Sequence, residues 1–212
     1  MINPNNKLML SEIAAYYSEK LAKYGQTSRG VDWNSEEGQL LRFEQLSKVI
    51  DSSNQFSVND LGCGYGAFYE FLVKKYGTLF YSGIDISETM IQGAQQRYQE
   101  EPQAQFIISS QPNQILDYSI TSGIFNVRFN RSDTEWLEYI KSTLDVLHQT
   151  SRLGFAFNCL TSYSDKEKMQ PSLYYADPCI LFDLCKSQYS RHVSLLHDYG
   201  LYEFTILVKK TL

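Results

Sequence analysis

The sequence predicts an α/β fold: a doubly wound, mostly parallel seven-stranded sheet whose last strand runs antiparallel, with two helices ahead of it. Three observations predict it. From Phe56 onward, short β-type runs alternate with amphipathic helical stretches, the order that builds parallel strands joined by crossover helices. The turn after the first of these runs is rich in glycine, Gly62-Cys63-Gly64-Tyr65-Gly66, and sits where a strand hands over to a helix start able to hold something anionic. At the other end, strands at 192–197 and 202–209 are joined only by Asp198-Tyr199-Gly200-Leu201. Parallel neighbours need a crossover of about a dozen residues or more, so this pair must be antiparallel.

Ahead of the sheet, residues 8–24 read as a helix, with Ile13, Tyr17, Leu21 and Tyr24 on one stripe and Ser11 as its cap. Residues 25–34 are a loop by composition: Gly25, Thr27, Ser28, Gly30 and Asp32 surround an aromatic, Trp33. A second helix starts at Asn34, with Glu37 three residues on as in a capping box. It carries Phe43, Leu46 and Ile50 at helical spacing and ends in the turn-forming run Asp51-Ser52-Ser53-Asn54.

The alternation then runs strand 56–61, helix 66–76, strand 79–85, helix 87–99 and strand 105–109. Ser87 caps the second of these helices, Met90, Ala94 and Tyr98 form its buried stripe, and Glu101-Pro102 breaks it. An irregular stretch, 110–116, leads into strand 117–122. Ser132 and Glu135 make a second capping-box pair at the head of a long helix with Trp136, Ile140, Leu144 and Leu147 on its inner face. Strand 152–158 and a polar loop, 161–170, follow. Asp177-Pro178 then starts a helix to about Ser187, with Asp as cap and Pro in the first turn.

Composition narrows the function. With 212 residues, 43% of them hydrophobic and 14% aromatic, one domain spanning 1–212 is the natural reading, with a sizeable core. No run approaches the roughly 20 apolar residues of a membrane span, and the N-terminus lacks the basic-then-apolar layout of a signal peptide, so a cytoplasmic protein is expected. Four cysteines without CxxC spacing read as free thiols, and three histidines without a cluster at ligand spacing argue against a metal. A net charge of −5 argues against a broad nucleic-acid footprint.

The residues that carry chemistry gather where the strands end. Asp85 lies about 20 residues past the glycines, where nucleotide-binding α/β folds place the acid that accepts hydrogen bonds from ribose hydroxyls. As a mere helix cap it would be redundant, because Ser87 fills that role. Asp60 is either a turn-forming acid or a ligand contact. His197 ends the sixth strand on the same rim and is the candidate general base, weighed against an imidazole satisfied by turn backbone. Tyr24 and Trp33 flank the loop before the second helix and form either a lid over the site or a cover for the sheet edge.

Three features in order resemble the class I S-adenosylmethionine-dependent methyltransferases over roughly residues 56–209. Asp60-x-Gly62-x-Gly64-x-Gly66 resembles that family's first motif, Gly83-Ile84-Asp85-Ile86-Ser87-x-x-Met90-Ile91 resembles its second, and the reversed final strand is its topology. The resemblance implies a Rossmann-like sheet in the order 3-2-1-4-5-7-6, a helical cap over residues 1–54 and a core over 55–212. It further implies that Gly62, Gly64 and Gly66 line the methionine and ribose portion of S-adenosylmethionine, that Asp60 lies near its amino group, and that Asp85 accepts both ribose hydroxyls. Ile86 and Met90 would sandwich the adenine. Many relatives place an acid after the third strand; this chain has Ser109-Ser110-Gln111, which hands adenine recognition to backbone amides or Ser110.

Ser122 and Gly123 would lie under the reactive methyl, with Phe125 and Asn126 toward the acceptor and Arg42 as either a clamp for the cofactor carboxylate or a member of a surface salt bridge. Asn126-Val127-Arg128 departs from the Asn/Asp-Pro-Pro-aromatic motif of relatives that methylate adenine or glutamine nitrogen. Cys179, after the fifth strand, is better read as packing than as the nucleophile of cytosine-ring enzymes. The activity implied is transfer of a methyl group to a small-molecule oxygen or nitrogen acceptor, giving S-adenosylhomocysteine, with the protein supplying alignment. Two rival readings stand beside it. Gly62-x-Gly64-x-x-Ala67 also satisfies the looser pattern of an NAD(P)-dependent oxidoreductase, and a cofactor-binding module without turnover has the same motifs.

Overall fold

A computed structural model describes residues 4–51 and 55–210, with side chains from Leu8 onward. The turn predicted at 51–54 lies, beyond Asp51, outside the described residues. In chain order the elements are α1 (Pro4–Tyr24), α2 (Glu36–Ser47), β1 (Ser57–Leu61), α3 (Ala67–Tyr76), β2 (Phe80–Asp85), α4 (Glu88–Arg97) and β3 (Ala104–Ile108). Then come β4 (Leu116–Thr121), α5 (Asp133–Gln149), β5 (Ser151–Leu160), α6 (Pro178–Gln188), β6 (His192–Leu196) and β7 (Glu203–Lys209). A short 3-10 turn, Ser28–Val31, sits between the first two helices.

Among the described residues seven strands form one sheet in the order β3-β2-β1-β4-β5-β7-β6. The pairs β1–β2, β1–β4, β2–β3 and β4–β5 are parallel, and β7 runs antiparallel to both β5 and β6. This is the predicted sheet. Every residue of β1 is buried, as a central strand covered on both faces requires.

Each face carries its own apolar layer. On one, Phe43 and Leu46 of α2 and Leu72 of α3 meet Val58, Tyr81 and Ile120 of the sheet. On the other, Trp136, Ile140, Leu144 and Leu147 of α5 are each 0% exposed, as the inner-face reading required, and pack on Phe155, Phe157 and Leu181. Full burial of such a side chain contributes about 1.5–3 kcal/mol. The capping box at Ser132 and Glu135 forms in full, and Asp177 caps α6 by accepting from the Cys179 and Ile180 amides.

Two caps fall elsewhere than predicted. The first helix begins at Pro4, so Ser11 lies inside it and does not cap it. Proline suits a first turn because the amide it lacks would have no partner there. For α2 the cap is Ser35, not Asn34: Ser35 holds φ −152° and its hydroxyl accepts from the Gly38 amide at 3.0 Å. Both residues are good caps by chemistry, and only the entry angle of the chain selects one. No described helix is long and apolar enough to cross a membrane.

Candidate active site

The carboxyl ends of β1, β2 and β4 open into a cleft holding about 1050 Å³ of atom-free space, part of it continuous with solvent. Such crevices are where open α/β sheets bind ligands. Its floor is the glycine turn. Gly62 and Gly64 take φ of 79° and 55°, backbone that glycine adopts without penalty. A Cβ on Gly62 would come within 2.3 Å of Ile124 Cγ2, and one on Gly64 within 3.0 Å of Val31 Cγ1. The turn is thus both left-handed and tightly overlain.

Asp85, at the end of β2, ties this turn down. One carboxylate oxygen accepts from the Gly64 amide at 2.9 Å and the other from the Ser87 amide at 2.8 Å. Ser87 itself caps α4 by accepting from the Met90 amide, so Asp85 is not needed as the cap. Burial raises the Asp85 pKa, and the amides of Ser87, Gly64 and Ile86 pull it back down.

Asp60 ends up 2% exposed, with the Tyr81 hydroxyl donating to it. Burial pushes its pKa up to about 7; the Tyr81 bond lowers it and the Asp85 charge raises it. Because the folded value lies above the ordinary 3.8, the folded chain holds a proton through pH 4–7 that the unfolded chain has released. Asp60 therefore contributes stability that is full below about pH 4 and is lost as pH rises through about 7. Thermal denaturation of ligand-free Asp60→Asn is expected to show a shallower fall in melting temperature from pH 5 to 8 than the wild type. Equal slopes would mean Asp60 is already ionised when folded.

The wall opposite comes from the end of β4. Gly123 has φ 79°, and its amide donates to Asn158 Oδ1 at 2.8 Å. The benzo edge of Trp33 lies over it, so close that a Cβ there would meet Trp33 at 2.5–2.6 Å. Ser122 Oγ, also at this rim, is buried with no partner among the described residues. Each such orphan costs about 1–3 kcal/mol and calls for an explanation.

The structure brings Asp60, Gly62, Gly64, Asp85, Ile86, Met90, Ser110, Ser122, Gly123 and Trp33 together around one cleft. Others named from sequence do not join it. Gly66 caps α3 outside the lining, and its lack of a side chain is a packing need, since a Cβ would meet Tyr98 at 2.7 Å. Tyr24 lies at the end of α1 beneath the Lys23 ammonium and does not reach the cleft. Arg42 is held in a bidentate pair by Glu203, at 2.8 and 2.7 Å, and is no ligand clamp. His197 is exposed beyond β6, with its ring 5.9 Å from Tyr163 and 6.1 Å from Phe204, away from the cleft. Phe125 and Asn126 turn into the core instead of facing an acceptor, Phe125 0% exposed and Asn126 Oδ1 accepting from the Leu160 amide.

Sequence reasoning missed a second set of lining residues: Leu10, Ile13 and Tyr17 from α1, Val31 and Gln39, and Tyr139 and Thr143 from α5. The α1 stripe had been visible as an apolar face, but nothing local says what it covers. Tyr139, three residues past Trp136, sits where the same helical periodicity would point it inward.

Comparison with known proteins adds three findings. The family described as "Methyltransferase domain" matches residues 58–150. A protein of Mycobacterium tuberculosis (strain ATCC 25618 / H37Rv) named "Putative methyltransferase Rv1506c" is 54% identical over 163 residues, 77% of this chain and 98% of its own. Among solved structures, the N-methyltransferase NodS from Bradyrhizobium japonicum WM9, in complex with S-adenosyl-L-homocysteine, aligns with a TM-score of 0.64 at 14% identity, over 92% of this chain and 97% of that one. The mycolic acid cyclopropane synthase CmaA1 aligns at 0.59 and 12% identity, over 84% and 85%. At these identities the structural likeness is one of fold.

Proposed function

The chain belongs to the class I S-adenosylmethionine-dependent methyltransferases, and from that premise we propose that it methylates a small molecule at oxygen or nitrogen, with the cofactor lying in the cleft between Asp60, the Gly62–Gly64 turn and Asp85. The residues present suit that cofactor. The glycine turn leaves no room for a Cβ and so presents bare backbone, Asp85 offers a half-buried carboxylate at the end of β2, and Ser122 Oγ is buried without a partner among the described residues. When bound, S-adenosylmethionine supplies an electrophilic sulfonium methyl. Asp85 would accept from the ribose hydroxyls, Asp60 would take the amino group, Ile86 and Met90 would flank the adenine beside Ser110, and Ser122–Gly123 would underlie the reacting end. The described residues ahead of β1 would act as a cap on the core, closing the cleft with Val31 and Trp33.

The observation that carries the choice of acceptor is the lining: among the described residues no Lys, Arg or His side chain is in it. An anionic acceptor would be desolvated there with no protein cation beside it, at a cost of several kcal/mol that the cofactor's single sulfonium charge offsets only in part. Nor is there an imidazole to take a proton. Burial raises the Cys63 thiol and pushes the Tyr139 phenol up to about 12, so neither is ionised near neutral pH. The acceptor that fits is a neutral amine, or a hydroxyl acidic enough to react unaided, and proximity and alignment supply the catalysis. The −5 net charge speaks against a nucleic-acid acceptor. The dinucleotide reading of Gly62-x-Gly64-x-x-Ala67 is set aside by the family match and by the reversed β7.

The test is methyl transfer from labelled S-adenosylmethionine to a panel of small amines, phenols, phosphorylated and carboxylated analogues, and RNA. Label is expected on uncharged or amine members. Turnover confined to anionic members or RNA, or tight cofactor binding with no turnover on any member, would overturn the proposal.

A further inference from the structure

Arg42 was a candidate ligand clamp, and the structure gives it a different occupation. Its guanidinium pairs bidentately with Glu203, a residue 1% exposed at the start of β7, while its carbon Cζ lies 3.9 Å from the centre of the Trp33 ring. Glu203 in turn accepts from Asn158 Nδ2 at 2.6 Å, and Asn158, 0% exposed in β5, accepts from the Gly123 amide at 2.8 Å. Both ends of this chain of bonds finish in the cleft wall, one at Trp33 and the other at the Ser122–Gly123 turn. None of its three members lines the cleft.

We propose that Arg42, Glu203 and Asn158 form a positioning relay that fixes the acceptor-side wall of the cleft from behind, holding the Trp33 indole and the Gly123 turn in one register. Burying a carboxylate demands full pairing, and Glu203 obtains it from both sides at once, so the two ends share one anchor. A planar guanidinium can stack on an indole while its fork grips a carboxylate; a lysine ammonium can pair but not stack. The relay thus makes Trp33 a fixed wall instead of a swinging lid. The inference rests on the reading of Ser122–Gly123 as the ground beneath the transferable methyl.

Two variants separate the ends, and neither needs a known acceptor. Of the two tryptophans, Trp136 is 0% exposed, so acrylamide quenching of fluorescence reports Trp33. Arg42→Lys keeps the charge pair but not the stack. It is expected to melt within a few degrees of wild type, yet to quench about twofold more strongly and to bind S-adenosylhomocysteine about fivefold more weakly. Asn158→Leu leaves Arg42 and Glu203 paired but frees the Gly123 amide. It is expected to weaken S-adenosylhomocysteine about tenfold with Trp33 quenching unchanged. Wild-type quenching in Arg42→Lys, or wild-type affinity in Asn158→Leu, would overturn the relay. If wild type itself fails to bind S-adenosylhomocysteine, the cofactor-site reading falls, and the quenching of Arg42→Lys still decides whether Arg42 fixes Trp33.

Discussion

Asp85→Ala is expected to raise the dissociation constant for S-adenosylhomocysteine by about two orders of magnitude. A hydrogen bond to a charged group contributes roughly 1.5–3 kcal/mol, and the proposed ribose contact has two. Loss of about 3 kcal/mol corresponds to a little over a hundredfold in affinity. A second effect adds to the first. The carboxylate holds the Gly64 amide at 2.9 Å, so its removal also loosens the cradle. One term works the other way: burial raises the Asp85 pKa, which means the ionised form is costly in the empty cleft, and alanine relieves that cost. The low end of the bond energies is therefore the fair basis. Calorimetry on folded variants measures it, with Asp85→Asn falling between alanine and wild type because it keeps an acceptor without the charge. A variant that binds like wild type would remove Asp85 from the site.

Gly62→Ala is expected to lose S-adenosylhomocysteine binding by more than thirtyfold and to destabilise the chain by about 2–4 kcal/mol. The left-handed backbone alone costs an L side chain roughly 1–2 kcal/mol. The rest comes from sterics, since the added carbon would sit 2.3 Å from Ile124 Cγ2 and must displace that side chain, itself in the cleft lining. Gly77→Ala is the control for backbone strain. Gly77 has φ 81° with ψ −151°, a conformation at least as costly to an L side chain, but a Cβ there meets nothing within 4 Å and it closes α3 away from the cleft. It should show the backbone cost alone, with unchanged affinity. Chemical denaturation and calorimetry on both variants separate the terms. Equal losses of affinity in the two would mean that strain, not the cradle, governs binding.

The parts of this site that were legible in the sequence are those written in short range. The glycine spacing before a helix start, the carboxylate about 20 residues on and the connector too short for a crossover each depend on neighbours in the chain. Those features correctly placed Asp60, Gly62, Gly64 and Asp85 around one cleft and β7 antiparallel. What could not be read depends on partners far apart. Arg42 looks like a free cation until Glu203, 161 residues away, is seen to hold it. His197 ends a strand on the right rim but on the sheet edge, because β7 is inserted between β5 and β6. Gly66 belongs to the same motif as its neighbours, yet its glycine serves Tyr98 and Phe106 packing. Ile13 and Tyr17 carry the opposite lesson. Their stripe was plain, but an apolar helix face looks the same whether it covers a core or roofs a ligand cleft.

The proposed pocket at the carboxyl ends of β1, β2 and β4 would hold a nucleoside sulfonium through the glycine turn and Asp85. Isothermal titration of the folded chain with S-adenosylhomocysteine tests this most directly. The prediction is one site per chain with a dissociation constant in the micromolar range or below, weakened by Asp85→Ala but not by Gly77→Ala. Absence of measurable heat at millimolar ligand, with the fold intact by circular dichroism, would contradict it.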